Sequence, residues 1–105
     1  MHIQVVNFNL NGMSDAEYRR ICDELAPVFA EMPGLVSKVW LADEVANTYG
    51  GVYTWADRAA METYLRSDIF SAVAANPGFA NITSRDFAVI EGPSRTTQAR
   101  AFVTR

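Results

Sequence analysis

An α+β fold, a four-stranded antiparallel sheet with two helices on one of its faces, is what this sequence predicts, and three observations predict it. Segments with a two-residue apolar period alternate with segments of three- and four-residue period, in the order β-α-β-β-α-β. The chain has 105 residues, enough to bury roughly two-thirds of its unfolded surface around a single core. Half of its residues (50%) are apolar and 20% are charged, the balance of a globular domain and not of a disordered, collagenous or coiled-coil chain.

From Ile3 to Leu10 the side chains alternate, with Val6, Phe8 and Leu10 on one face and Ile3, Val5, Asn7 and Asn9 on the other, as in a strand. Asn11-Gly12 ends it. Ser14 with Glu17 reads as a capping box, and Tyr18, Ile21, Cys22, Leu25, Val28, Phe29 and Met32 mark a helix from about Asp15 to Met32. Pro27 inside it predicts a bend, and Pro33-Gly34 stops it. Leu35 to Asp43 and Tyr49 to Ala56 are rich in β-branched and aromatic residues and form a predicted antiparallel pair. Asp57 caps a second helix carrying Met61, Tyr64 and Leu65. After Ser67-Asp68 the pattern resumes with Ile69, Phe70 and Val73, so this is one kinked helix or two. Asn76-Pro77-Gly78 breaks it, a last strand runs from about Ile82 to Glu91, and Gly92-Pro93 opens a polar arm ending Ala101-Phe102-Val103.

Right-handed crossovers then give the ferredoxin-like split fold over residues 1–92, with 93–105 as a C-terminal arm. Each strand carries apolar groups on both faces, as in Val39 and Trp40, Val52 and Tyr53, or Ala88 and Val89. The second face needs a cover, and a homodimer pairing two such faces supplies it, with the arm placed to cross to the partner.

Nine Lys and Arg against twelve Asp and Glu give a net charge of -3 with no basic cluster, which argues against nucleic acid as a partner. One cysteine and one histidine make neither an internal disulfide nor a zinc site, so no metal is expected. The N-terminus lacks a basic leader, and no apolar run reaches the ~18 residues of a membrane span, so the expected location is the cytoplasm, away from membranes.

Conventional catalytic groupings are sparse. Cys22 falls on the apolar face of the first helix and reads as a buried structural thiol. His2 stands at a strand end without an evident supporting shell. Asp15, Glu17, Asp23, Glu24, Asp43 and Glu44 occupy cap, solvent-face or loop positions and read as solvated charges. Gly50-Gly51 lacks a phosphate-binding pattern and predicts close backbone approach or a bulge.

What remains is a polar and aromatic set: Asn7 and Asn9 on the first strand, Trp40 on the second, Tyr53 and Trp55 on the third, and Tyr64 on the second helix. The plain reading makes the aromatics core and dimer interface. The asparagines point to water, bridge a dimer or line a pocket, because a buried amide without partners is costly. Arg85 offers a fixed positive charge, or simply a cross-strand salt bridge.

Lys38-Val39-Trp40, Gly50-Gly51-Val52-Tyr53-Thr54-Trp55, Ala60 and Tyr64-Leu65 resemble landmarks of the YdhR-like monooxygenases, and the similarity spans most of the chain. The resemblance implies a dimeric α+β barrel, whose relatives include cofactor-free enzymes that oxidise hydroquinones and phenols to quinones, and haem-degrading enzymes. Two departures matter. Tyr64 to Phe70 and Asn7 are similar to haem-degrader motifs, yet Ala74 stands where those enzymes carry their axial histidine. Trp55 matches the third-strand tryptophan of the quinone-forming enzymes, while Gly51 replaces their asparagine.

The expected function is therefore a cofactor-independent oxygenase acting on a phenolic or polycyclic aromatic substrate with dioxygen. Trp55 with Asn7 or Asn9 would donate to the substrate oxygen, Trp40, Tyr53 and Tyr64 would wall the pocket, and Arg85 would favour the anion. The alternative is a non-catalytic dimer that binds small molecules or serves a stress response, favoured if the cavity is filled by its own side chains. An isomerase or decarboxylase on the same barrel would need a titrating group in the pocket, where the sequence offers His2 and surface carboxylates.

Overall fold

The computed structural model describes residues 1–98. Strand β1 (His2–Leu10) is flanked by β3 (Thr48–Trp55) and β4 (Phe79–Ala88), and β2 (Leu35–Asp43) forms the edge beyond β3. The antiparallel order β2-β3-β1-β4 is the ferredoxin-like arrangement. Helices α1 (Asp15–Ala30), α2 (Arg58–Leu65) and α3 (Asp68–Ala75) follow the strands they connect, and α4 (Glu91–Gln98) follows β4. Tyr18 and Phe29 of α1 and Met61 and Tyr64 of α2 join Val6, Phe8, Tyr49, Tyr53 and Trp55 of the sheet in one buried core.

The caps decide where the helices begin. Ser14 Oγ accepts the Glu17 amide at 3.1 Å and Asp57 Oδ1 accepts the Ala60 amide at 2.8 Å, each satisfying a donor that the first turn leaves free. The second helical stretch is two helices, because Ser67 restarts it: its Oγ donates to the Tyr64 carbonyl at 2.6 Å and accepts the Phe70 amide at 3.2 Å. Helix α1 continues through Pro27 and ends at Ala30, two residues short of Met32.

The C-terminal third departs from the sequence expectation. Strand β4 begins at Phe79, not Ile82, since the turn through Asn76 to Gly78 delivers Phe79 opposite Leu10. It ends at Ala88, opposite His2, where β1 itself begins. Residues 91–98, where the sequence predicts the start of a polar arm, form helix α4. Pro93 falls in the first turn of that helix, where a missing amide hydrogen costs nothing, so the Gly92-Pro93 pair does not act as a breaker. The Ala101-Phe102-Val103 end of the expected arm lies outside the described residues.

Strand parity divides the sheet. His2, Gln4, Val6 and Phe8 face the helices and are buried, while Ile3, Val5, Asn7 and Asn9 face away. The far face carries a row Val39, Val52, Val5, Arg85 across four paired strands, and Phe87 and Val39 on it are 51% and 44% exposed. Gly50 holds β3 tight to β1, where a Cβ would stand 1.8 Å from the Val6 carbonyl oxygen, the close approach expected for Gly50-Gly51. Among the described residues no helix is long and apolar enough to cross a membrane.

Candidate functional site

The inner face of the sheet carries a polar thread through the aromatic core. Trp55 is fully buried, and its indole N–H donates to Gln4 Oε1 at 3.0 Å. The Gln4 amide, equally buried, donates onward to Ser84 Oγ at 3.0 Å. The neighbouring pair His2 Nε2 and Asp86 Oδ2 lies 2.6 Å apart at the same end of β1. Each polar group has a partner, so the thread holds one arrangement of the core with no orphaned atom among the described residues.

Above it the rings are layered. Tyr53 stacks parallel to Trp55 with centroids 5.9 Å apart, and Tyr64 tilts over both. The Tyr53 and Tyr64 hydroxyls share a hydrogen bond of 3.3 Å. Burial raises the ionisation of both phenols above the ordinary tyrosine value, so they act as neutral dipoles.

Lys38 is the unusual member of this face. Its position on β2 is in register with Tyr53, so its side chain turns inward. Nζ lies 3.6 Å from the Phe29 ring centre, 3.5 Å from that of Trp40 and 4.7 Å from that of Tyr53. Among the described residues no carboxylate is within ion-pairing distance of it. Burial pulls its pKa from 10.5 down to about 7, while the π faces around it favour keeping the proton. Gly51 leaves the room for this packing, since a Cβ there would stand 3.0 Å from Lys38 Cε and 3.3 Å from the Tyr53 ring.

Two surface clefts run along the seam between α1 and the edge strand β2 and meet at Ala26 and Trp40. One, of about 410 Å³, is lined by Tyr18, Cys22, Asp23 and Leu41 among others. The other, of about 320 Å³, is lined by Phe29, Leu35 and Lys38. Beneath them, inside the core, a void of about 40 Å³ is bounded by Phe29, Tyr53, Tyr64 and the inner side of Trp40. Trp40 therefore stands between the outer clefts and the inner void. Aromatic walls, one caged amine and a volume of some hundreds of Å³ suit a flat organic molecule.

The residues proposed from sequence divide between two faces. Trp40, Tyr53, Tyr64 and Trp55 come together on the inner face. Asn7, Asn9 and Arg85 do not join them, because their odd positions on β1 and the matching register of β4 send them to the far face. The expectation of one cavity enclosed by Trp55 and the strand-one asparagines is thus corrected. Asn7 donates to the Tyr49 carbonyl at 3.4 Å. Asn9 donates to the Asn47 carbonyl at 2.6 Å and accepts from Asn81 at 2.9 Å, while the Asn47 side chain pairs with both backbone groups of Leu10. Asn47 and Asn81 both have positive φ, a conformation asparagine tolerates, so this trio clips the β2–β3 turn and the β4 irregularity to the end of β1. Arg85 is exposed beside Phe87, and no acid among the described residues pairs with it.

Two residues of the inner face escape the sequence reading. Gln4 is the one amide sharing a parity with Val6 and Phe8, and that polar break in an apolar stripe is its signal. Lys38 is the only lysine of a chain whose other strong bases are all arginine. Cys22 is half-buried on the cleft wall with its thiol pushed up by burial, so it is a protonated lining group. Among the described residues no three His, Cys, Asp or Glu side chains converge on a metal position.

A family model described as "Putative mono-oxygenase ydhR" matches residues 3–100. Several solved structures are similar in fold. One, described as a "putative antibiotic biosynthesis monooxygenase" from Deinococcus radiodurans, has a TM-score of 0.72 at 16% identity, covering 87% of this chain and 94% of that one. SnoaB, a cofactor-independent oxygenase from Streptomyces nogalater, has a TM-score of 0.64 at 22% identity over 84% of this chain and 92% of its own. The haem degrader MhuD from Mycobacterium tuberculosis, with two haems bound, has a TM-score of 0.66 at 17% identity over 86% and 96%. No curated protein matches the chain significantly.

Proposed function

Because the chain belongs to the mono-oxygenase family whose model covers residues 3–100, we propose that it oxidises an electron-rich phenol, of one or several rings, with dioxygen and without a bound cofactor. The observation that carries this reading is the aromatic cleft between α1 and β2, where Phe29 and Trp40 flank the amine of Lys38. Phe29 and Trp40 pack edge to face with centroids 5.5 Å apart, so a phenol laid against them meets one continuous aromatic wall and one cation for its oxygen. The substrate supplies all four electrons: a ring C–H para to the hydroxyl becomes C=O, one oxygen atom of dioxygen enters the product and the other leaves as water.

The deeper residues serve as scaffold in this reading. Trp55 cannot donate to a substrate while its N–H is held by Gln4, and the inner void of about 40 Å³, which Tyr53 and Tyr64 line and Trp55 does not, has room for little more than a water. They fix the rings of Tyr53 and Phe29 that cage Lys38. Haem, which the Mycobacterium tuberculosis protein binds, does not fit the donor set: the one histidine, His2, is paired with Asp86, and Ala74 stands exposed on α3 where the resemblance puts an axial ligand. We further propose that two copies pair through the far face, covering Val5, Val39, Val52 and Phe87.

The test is dioxygen consumption by metal-free protein supplied with a panel of naphthols and anthrones. One dioxygen per quinone, with one atom of ¹⁸O retained in the product, is the expected result. Binding of the panel without turnover would support the second reading, a non-catalytic binder of small aromatic molecules, which the small inner void favours.

A further inference from the structure

Lys38 differs in its surroundings from the arginines among the described residues. The six described arginines, Arg19, Arg20, Arg58, Arg66, Arg85 and Arg95, are all exposed, whereas Lys38 is turned into the core from an edge strand. Three ring faces surround its amine. Rings attract an ammonium but accept no proton, and no described carboxylate lies near enough to fix the charged form. The amine therefore has one polar outlet, the cleft of about 320 Å³ that it lines with Phe29 and Trp40.

We propose that Lys38 is the proton acceptor of the α1–β2 cleft, taking the hydroxyl proton of a phenol laid against Phe29 and Trp40 and then holding the phenolate as its ammonium partner. This assignment rests on the phenol-oxygenase reading above and names the acid-base group of that same site. With a pKa near 7 the amine populates both protonation states at neutral pH, so it can accept the proton and later return it. The groups that face it do not compete. Cys22 on α1, Tyr53 on β3 and Tyr64 on α2 behind it are all held in their protonated forms by burial. Arg19 and Asp23 belong to the adjoining cleft beyond Trp40.

The proton and electron accounts close without another reagent. The phenol O–H breaks and its proton moves to Nζ. The ring carbon para to the oxygen bonds dioxygen, which takes an electron pair from the phenolate, and the ammonium returns the proton to the outer peroxide oxygen. Loss of the ring hydrogen with cleavage of the O–O bond then yields the carbonyl and one water.

Because Lys38 is the only lysine, ¹³C-lysine labelling reports it alone. Its ε-carbon should titrate near pH 7 in the wild-type protein. A single titration at the ordinary lysine value would overturn the assignment without reference to any substrate. The second measurement uses 4-nitrophenol, whose anion is coloured. Bound to wild-type protein, its ionisation midpoint should fall by about one pH unit, a tenfold stabilisation of the anion. Lys38→Met should abolish that fall, whereas Lys38→Arg, charged at every working pH, should retain it yet lose at least about tenfold in dioxygen uptake, because a guanidinium cannot take the proton. A retained fall in Lys38→Met overturns the role of Lys38 and leaves the phenol reading standing. Failure of wild-type protein to bind 4-nitrophenol in either form removes both.

Discussion

Gln4 and Asn7 carry the same functional group on the same strand, three residues apart, and that odd interval sends them to opposite sides of the sheet. On the inner side Gln4 is sealed from water and shared between Trp55 and Ser84. On the far side Asn7 reaches only a backbone carbonyl at 3.4 Å, and Asn9 braces a turn at the exposed strand end. The same carboxamide is thus a core organiser in one place and trim in the other. Side-chain parity, more than residue type, decides which polar groups can take part in chemistry on this fold.

The largest effect that would break this contrast is at Trp55. Truncation by Trp55→Ala should cost about 3–5 kcal/mol in urea-induced unfolding, since no neighbour can collapse into the space of a fully buried indole. Trp55→Phe keeps most of the volume but strands the Gln4 carbonyl oxygen, and about 1–3 kcal/mol should be lost. Gln4→Met should fall in the same range, about 1–3 kcal/mol, because it leaves the indole N–H unpaired. If all three variants unfold like wild type, the inner thread is not what organises the core.

Lys38 sharpens the contrast through pH. Its folded pKa of about 7 lies below the ordinary 10.5, so between those values the native protein holds fewer protons than the unfolded chain. Stability should therefore rise as pH increases from 7, and the full cost of burying the cation should be present below that. The clean window closes near pH 9, where Cys22 begins to ionise in the unfolded chain. Lys38→Met should be more stable than wild type at pH 7 by about 1–2 kcal/mol and should flatten the rise between pH 7 and 9. An unchanged slope in that variant would mean that the amine is solvated in both states.

The frame of the molecule was legible because its signals are local. Ser14, Asp57 and Ser67 each announce a helix start, and the alternation of β1 separates Val6 and Phe8 from Val5 and Asn7 correctly. The candidate site was less so. Parity shows which aromatic residues gather, but it also sets Asn7 and Asn9 on the face opposite Trp55, so their residue type alone suggests a shared pocket. Lys38 carries no local mark beyond being the sole lysine, since burial of a charged side chain on an edge strand depends on how α1 lies across β2. The start of β4 and the helix α4 are illegible in the sequence for a related reason: Pro77-Gly78 and Gly92-Pro93 look alike as breakers, yet one follows the end of a helix and the other sits inside a first turn.

The smallest effects belong on the far face. Asn9→Ala removes two hydrogen bonds from the clip to Asn47 and Asn81 and should cost about 1 kcal/mol, because water replaces exposed partners readily. Asn7→Ala and Arg85→Ala should change stability by no more than about 0.5 kcal/mol. None of the three should alter the oxidation of a phenol bound at the α1–β2 cleft, because the full thickness of the sheet separates their side chains from Lys38 and Trp40. Steady-state dioxygen uptake checks this directly. A loss of turnover in Asn7→Ala with an unchanged unfolding midpoint would move the chemistry to the opposite face. Arg85 supplies the finer control: if two copies pair through that face, Arg85→Ala should shift the monomer–dimer equilibrium in sedimentation while leaving kcat per chain untouched.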